Sequence, residues 1–161
     1  MSGFGMKILC YDPYINKNIP EEYGVTLVDL DTLLHNSDYI SIHCPLNAQT
    51  KHMLDRKQFA KIKHGAILIN TARGGIINET ALIEALQSGR IAAAGLDVTE
   101  KEPIPQDSLL LSMDNVIITP HNAWYSEESI ATLQRMVGEE VVRVLSGQLP
   151  KNLVNKEVLN K

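Results

Sequence analysis

A chain of 161 residues with 44% hydrophobic and 21% charged residues has the composition of a soluble globular domain, long enough to bury a core without a metal or disulfide as a staple. The formal net charge of -4 and the lack of any Lys/Arg run leave no electrostatic footprint for nucleic acid or an anionic membrane surface. No apolar stretch approaches the ~20 residues needed to cross a bilayer, and residues 1–5 lack the charged and apolar regions of a secretory signal, so a cytoplasmic protein is expected.

Short apolar runs alternate with segments of helical period, the sequence form of a βαβ series with a parallel sheet. The first strands are expected at residues 6–11, 26–28 and 39–43. Asp55, with Gln58 three residues on, forms a capping pair for a short helix ending before Gly65, and a strand follows at 66–70. Asn78 caps a helix through Ala81, Leu82, Ala85 and Leu86, with Gly89 in the left-handed stop position. Strands at 93–98 and 116–119 complete the series. Several of these runs are continuously apolar, as expected where helices cover both faces of a sheet. Cys10 and Cys44 lie within strands and are expected as buried, reduced thiols. Ser126 opens the last long helix, with Glu127 and Glu128 suited to the positive end of its dipole. Its apolar residues Ile130, Leu133, Met136, Val137, Val141, Val144 and Leu145 keep to one face, which is expected to pack, and Gly147 marks its end. The division expected is one domain over residues 1–148 and a polar tail over 149–161.

In an open parallel sheet, ligands bind beyond the carboxyl ends of the strands, and the residues there are polar. Asp12 has the chemistry to accept hydrogen bonds from both hydroxyls of an adenosine ribose, or it simply opens an Asp-Pro turn. No Arg follows within a few residues to balance a 2′-phosphate, which favours NAD over NADP. In the run Asn70 to Gly75, two glycines would let the backbone approach a ligand while Arg73 makes a two-pronged contact to a carboxylate. The alternative is a surface Arg in a glycine turn. Glu102 and His121, if their side chains meet, are acid/base equipment, because the carboxylate would hold one ring nitrogen protonated. Taken singly, each is more often structural or solvated. His35, His43, His52 and His64 read as ordinary. No HxH, HExxH or CxxC spacing occurs, so no metal site is expected, and no GxSxG elbow presents a serine nucleophile.

Three blocks in order, Leu68–Gly75, Ala94–Pro103 and Thr119–His121, resemble the signature blocks of the D-isomer-specific 2-hydroxyacid dehydrogenases. Tyr11–Tyr14 and His121–Ser126 are most similar to the branch of phosphoglycerate-dehydrogenase-like enzymes and C-terminal-binding-protein corepressors. The resemblance implies an α/β, Rossmann-like doubly wound parallel sheet with NAD as cofactor. The activity implied is NAD-dependent oxidation of the CH–OH group of a small 2-hydroxy acid, or reduction of the 2-keto acid in reverse. It implies that Arg73 binds the substrate carboxylate, that His121 takes the hydroxyl proton, and that Glu102 orients and charge-tunes His121. Asp12 would hold the adenosine ribose and Pro45 would line the adenine side. Thr71, Ala72 and Asp97, with Arg73 and His121 beside them, would face the nicotinamide end, and Trp124 would wall the substrate pocket. Formate dehydrogenases of the family carry Gln where this chain has Glu102, which argues for a hydroxy acid or keto acid.

The chain departs from the family pattern at its N-terminus. Residues 3–7 match the end of the first nucleotide-domain helix, so the first strand and the GxGxxG loop are absent, and with them the backbone N–H groups that bind pyrophosphate. That strand is the centre of a 3-2-1-4-5-6 sheet, so the expectation is two half-sheets with open edges. They would close by pairing directly across the gap, or self-associate as a homo-oligomer. A truncated dehydrogenase is one implication. A non-catalytic nucleotide-binding or scaffold fragment is the alternative.

Overall fold

The computed structural model describes residues 2–15 and 23–160. Six strands and four helices occur among them: β1 Ile8–Cys10, β2 Val25–Leu27, α1 Leu30–Asn36, β3 Tyr39–Ile42, α2 Arg56–Lys61, β4 Ala66–Asn70, α3 Glu79–Gln87, β5 Ile91–Leu96, β6 Val116–Ile118 and α4 Glu127–Leu145. Short 3-10 turns punctuate the loops. They fall into two compact units, Met1–His121 and Asn122–Lys161.

Local chemistry starts the helices where the sequence places them. Asp55 and Gln58 form a reciprocal capping box at α2, and the Asn78 side chain accepts from the Ala81 N–H at α3. Gly89, at φ 71, ends the turn after α3. The sequence reading has no helix at α1, where Asp29 Oδ1 accepts from the Thr32 N–H at 2.8 Å and Oδ2 accepts from its hydroxyl at 2.8 Å. Leu34 of this helix is fully buried.

All strand pairing in the first unit is parallel, in two sheets. One is β1-β2; the other has the order β3-β4-β5-β6. These are the two half-sheets expected, and β1 and β3 do not pair across the gap. The expected strand at 93–98 instead runs from Ile91 to Leu96, because its ladder with β4 starts at Ala66 opposite Ile91 and shifts register there.

Helices α1, α2 and α3 bury Leu34, Phe59, Leu82 and Leu86 in one cluster with Ile40, Ile42, Leu68 and Ile91. Each such side chain contributes roughly 1.5–3 kcal/mol relative to exposure. The parallel strands and the helices between them form the α/β arrangement expected. In β3 the residues alternate, Tyr39 and Ser41 exposed and Ile40 and Ile42 buried, and in β4 the face opposite the core is half-buried. Cys10 and Cys44 are thiols, as expected, yet half-buried rather than buried.

In the second unit, Ser126 Oγ accepts from the Ser129 N–H while Ser129 Oγ accepts from the Ser126 N–H, which fixes the start of α4. Within this unit nothing covers the stripe expected to pack: no residue of α4 is buried, and Leu133, Val137, Val141 and Leu145 are all exposed. An apolar stripe packs only where another apolar surface faces it. Within this unit the segment after α4 touches it through a polar contact, the Lys151 N–H to Glu140 Oε2 at 3.0 Å. Among the described residues no helix is long and apolar enough to cross a membrane.

The Thr32 backbone N–H, and then the Thr32 hydroxyl, hold the Asp29 carboxyl below its ordinary value of 3.8. A carboxyl lowered in the folded state stabilises above its unfolded value, and that contribution is lost as pH falls through the folded one. Asp29→Asn should therefore flatten the fall in the urea midpoint below pH 3.8 relative to the parent chain; identical pH profiles would contradict the cap.

Candidate active site at the carboxyl ends of the strands

The end of β4 is built on a buried amide. Asn70 is fully buried; its Oδ1 accepts from the Ala72 N–H at 3.0 Å and its Nδ2 donates to the Arg73 carbonyl at 3.0 Å. The turn this closes leaves Arg73 extended and exposed, with Nη1 donating to the Ala72 carbonyl at 2.7 Å. Gly74 is required by the chain's own packing. A Cβ on Gly74 would stand 1.9 Å from the Thr99 carbonyl oxygen and 2.5 Å from the Glu100 nitrogen. Only glycine lets the Arg73 loop lie on the loop that follows β5. On Gly75 a Cβ would come within 3.1 Å of the Leu46 side chain, which can yield.

The ends of β5 and β6 are joined by side chains. The Asp97 N–H donates to the Asn70 carbonyl at 2.9 Å, extending the ladder past β4. Asp97 is buried, and its Oδ1 accepts from the Thr119 hydroxyl at 2.5 Å. Two residues on, Thr99 donates its N–H to Glu102 Oε1 at 3.2 Å. The other oxygen, Oε2, meets His121 Nδ1 at 2.8 Å, so the two residues singled out as acid/base equipment do meet. His121 stands at φ 54, and its N–H donates to the Thr119 carbonyl at 3.0 Å. With Nδ1–H donating to a carboxylate, proton exchange at the ring falls to Nε2.

Asp12, beyond β1, uses Oδ1 to accept from the Tyr14 N–H at 2.8 Å, the Asp-Pro turn of the sequence reading. Tyr14 ties that turn to the loop after β3 by donating its hydroxyl to Gln49 Oε1 at 2.7 Å. Burial, with the Asp12 carboxylate adding to it, pushes the Cys44 thiol up, which disfavours a reactive thiolate. Pro45 is exposed, and its carbonyl accepts from the Thr50 hydroxyl at 2.6 Å. Thr71 is exposed and Ala72 half-buried on the Asn70 turn. Trp124 belongs to the second unit, where its ring meets that of Tyr125 edge-on at 5.6 Å.

The first unit thus brings together Glu102 with His121 and Asp97 with the Thr119 turn, while among the described residues no hydrogen bond or ion pair joins Arg73 to Glu102. Sequence reasoning missed Asn70 and Thr119, whose roles are to hold turns. The signal for Asn70 was a polar residue closing an apolar run. His52, read as ordinary, meets Glu100 Oε1 through its Nε2 at 2.7 Å. Among the described residues no group of three or more His, Cys, Asp or Glu could hold a metal ion.

The parallel sheet thus carries a carboxylate–imidazole pair and an arginine loop at its carboxyl edge. The chain belongs to the D-isomer specific 2-hydroxyacid dehydrogenase family, whose NAD binding domain matches residues 1–123. It is 45% identical over 157 residues to a glyoxylate reductase of Korarchaeum cryptofilum, covering 98% of this chain and 47% of that protein. It is 48% identical over 153 residues to a D-3-phosphoglycerate dehydrogenase of Methanocaldococcus jannaschii, covering 94% and 29%. A D-lactate dehydrogenase with NAD+ from Lactobacillus jensenii superimposes with a TM-score of 0.87 at 38% identity, over 95% of this chain and 49% of that one. The chain therefore spans half or less of the length of these relatives.

Asn70→Ala leaves the Ala72 N–H and the Arg73 carbonyl without their buried partner and should cost roughly 1–3 kcal/mol in urea unfolding. Gly74→Ala forces the two loops apart and should cost a similar ~1–3 kcal/mol. Parent-like stability in both variants would contradict the turn and junction described.

Proposed function

We propose that this chain carries the nucleotide-binding and acid/base half of an NAD-dependent 2-hydroxyacid dehydrogenase, interconverting a small 2-hydroxy acid and its 2-keto acid. The observation that carries this reading is the 2.8 Å contact of His121 Nδ1 with Glu102 Oε2 at the strands' carboxyl edge. The donor set suits the dinucleotide. Asp12 uses Oδ1 in its own turn and so would meet a ribose hydroxyl with Oδ2. Pro45 would lie on the adenine side, and Thr71, Ala72 and Asp97 at the nicotinamide end.

Bound nicotinamide supplies the hydride acceptor for the hydroxy acid, or the donor for the keto acid. Arg73 binds the substrate carboxylate through its guanidinium fork, which fixes the plane of the C1–C2 bond. His121 Nε2 takes the C2 hydroxyl proton in oxidation and returns it in reduction. Glu102 holds the ring in the tautomer this needs and stabilises the imidazolium that forms. Glyoxylate and hydroxypyruvate, named for relatives of this chain, are the first keto acids to assay.

A second reading is a nucleotide-binding or scaffold module without catalysis, since one fold hosts many functions. NADH oxidation in the presence of glyoxylate or hydroxypyruvate separates the two. The dehydrogenase reading predicts turnover that His121→Ala lowers by roughly 10²–10⁴-fold. Binding of NADH without turnover supports the module instead, and turnover unaffected by His121→Ala would contradict the assigned roles.

Among the described residues β1 and β3 each have an edge with no paired strand, and we propose that the chain self-associates there, since an edge strand offers unpaired N–H and C=O groups to another chain. Light scattering should give a mass above one chain that rises with concentration; a strictly monomeric mass would contradict this.

A further inference from the structure

We propose that His52 is a positioning residue that holds the Arg73 loop and the Glu102 loop in register, an inference that rests on the function proposed above. His52 lies between β3 and α2, where residues 52–54 run beside residues 75–78. Its N–H donates to the Gly75 carbonyl at 2.9 Å, and the Leu54 N–H donates to the Ile76 carbonyl at 3.2 Å. Its backbone therefore grips the Arg73 loop two residues past the arginine.

The ring reaches the other loop. Nε2 donates to Glu100 Oε1 at 2.7 Å, two residues before Glu102, across 48 positions of sequence. Glu100 is held in turn by the start of α3. Its Oε2 accepts from the Glu79 N–H at 3.2 Å, and its own N–H donates to Glu79 Oε2 at 3.2 Å. The carboxylates of Glu100 and Glu102 are thus each met by a histidine, one on either side of the loop.

The backbone makes the same point independently. Among the described residues, His52 at φ 50 and His121 at φ 54 are the non-glycine residues at positive φ. A left-handed conformation is disfavoured for a residue with a Cβ and persists where its surroundings impose it. Each histidine is turned this way and each meets a glutamate of the same loop. The His52–Glu100 pair is about one-third exposed, and exposed ion pairs add little to global stability. Its effect is therefore on where the two loops sit rather than on whether the domain folds.

The test uses the full chain labelled with ¹⁵N, following the histidine ring signals of His121 by NMR, with Glu102→Ala as the reference for a broken pair. In His52→Ala the His121 ring signals should move toward those of the reference, and the Nδ1 proton should exchange with water faster than in the parent. His52→Gln, whose amide can still donate to Glu100, should restore parent-like signals. Should His52→Ala not fold, Glu100→Ala makes the same measurement from the other end of the contact. His121 signals that coincide with the parent in the folded variants would overturn the proposal. This readout needs no turnover, so a chain that fails to bind NADH sinks the functional reading while the ring spectra still decide the role of His52. Where turnover is measurable, His52→Ala should lower kcat about tenfold with KM for the keto acid within about twofold.

Discussion

The carboxyl edge of the sheet is organised by one buried amide. Asn70 is fully enclosed at the end of β4, and a polar side chain taken out of water there is costly unless both its arms are used. They are used on the Ala72 N–H and the Arg73 carbonyl, which closes the turn and turns Arg73 outward. The backbone carbonyl of Asn70 takes the Asp97 N–H and carries the ladder to the buried carboxylate that receives the Thr119 hydroxyl. Thr119 in turn anchors the bend that presents His121. The positions of Arg73, Asp97 and His121 therefore descend from one residue through backbone and side-chain hydrogen bonds. Gly74 completes the arrangement, because any side chain there would collide with Thr99 and Glu100.

The parts of this architecture that rest on local chemistry are readable from the residues alone. The starts of α2, α3 and α4 coincide with Asp55, Asn78 and Ser126 because a cap is made by residues three apart. Strand β4 appears at its expected bounds, Ala66–Asn70. The bounds of β5 do not, since they are set by its parallel ladder with β4, which no local window contains. The seven residues of α1 escape because so short a helix has little period to show, although Asp29 marks its start.

The same division applies to the site. The Glu102–His121 pairing was legible because both residues stand in recognisable blocks at strand ends. Asn70, Thr119 and His52 were not, because their significance lies in contacts with distant segments, as His52 with Glu100 shows. The apolar period of α4 was equally plain, yet a period identifies a face without supplying anything to cover it. Among the described residues, β1 and β3 each have an edge with no paired strand. Parallel strands of this kind are ordinarily enclosed, and their open N–H and C=O groups make the sheet's gap the place where another segment of backbone would gain most.

The most direct test of the account is a titration of the ¹⁵N-labelled chain with NADH, mapping which backbone amides shift. A dinucleotide site at the carboxyl edge predicts saturable shifts concentrated at Asp12, Asn70–Arg73, Asp97–Glu102 and His121. Saturable shifts confined to other parts of the chain, or none at millimolar NADH, would contradict it.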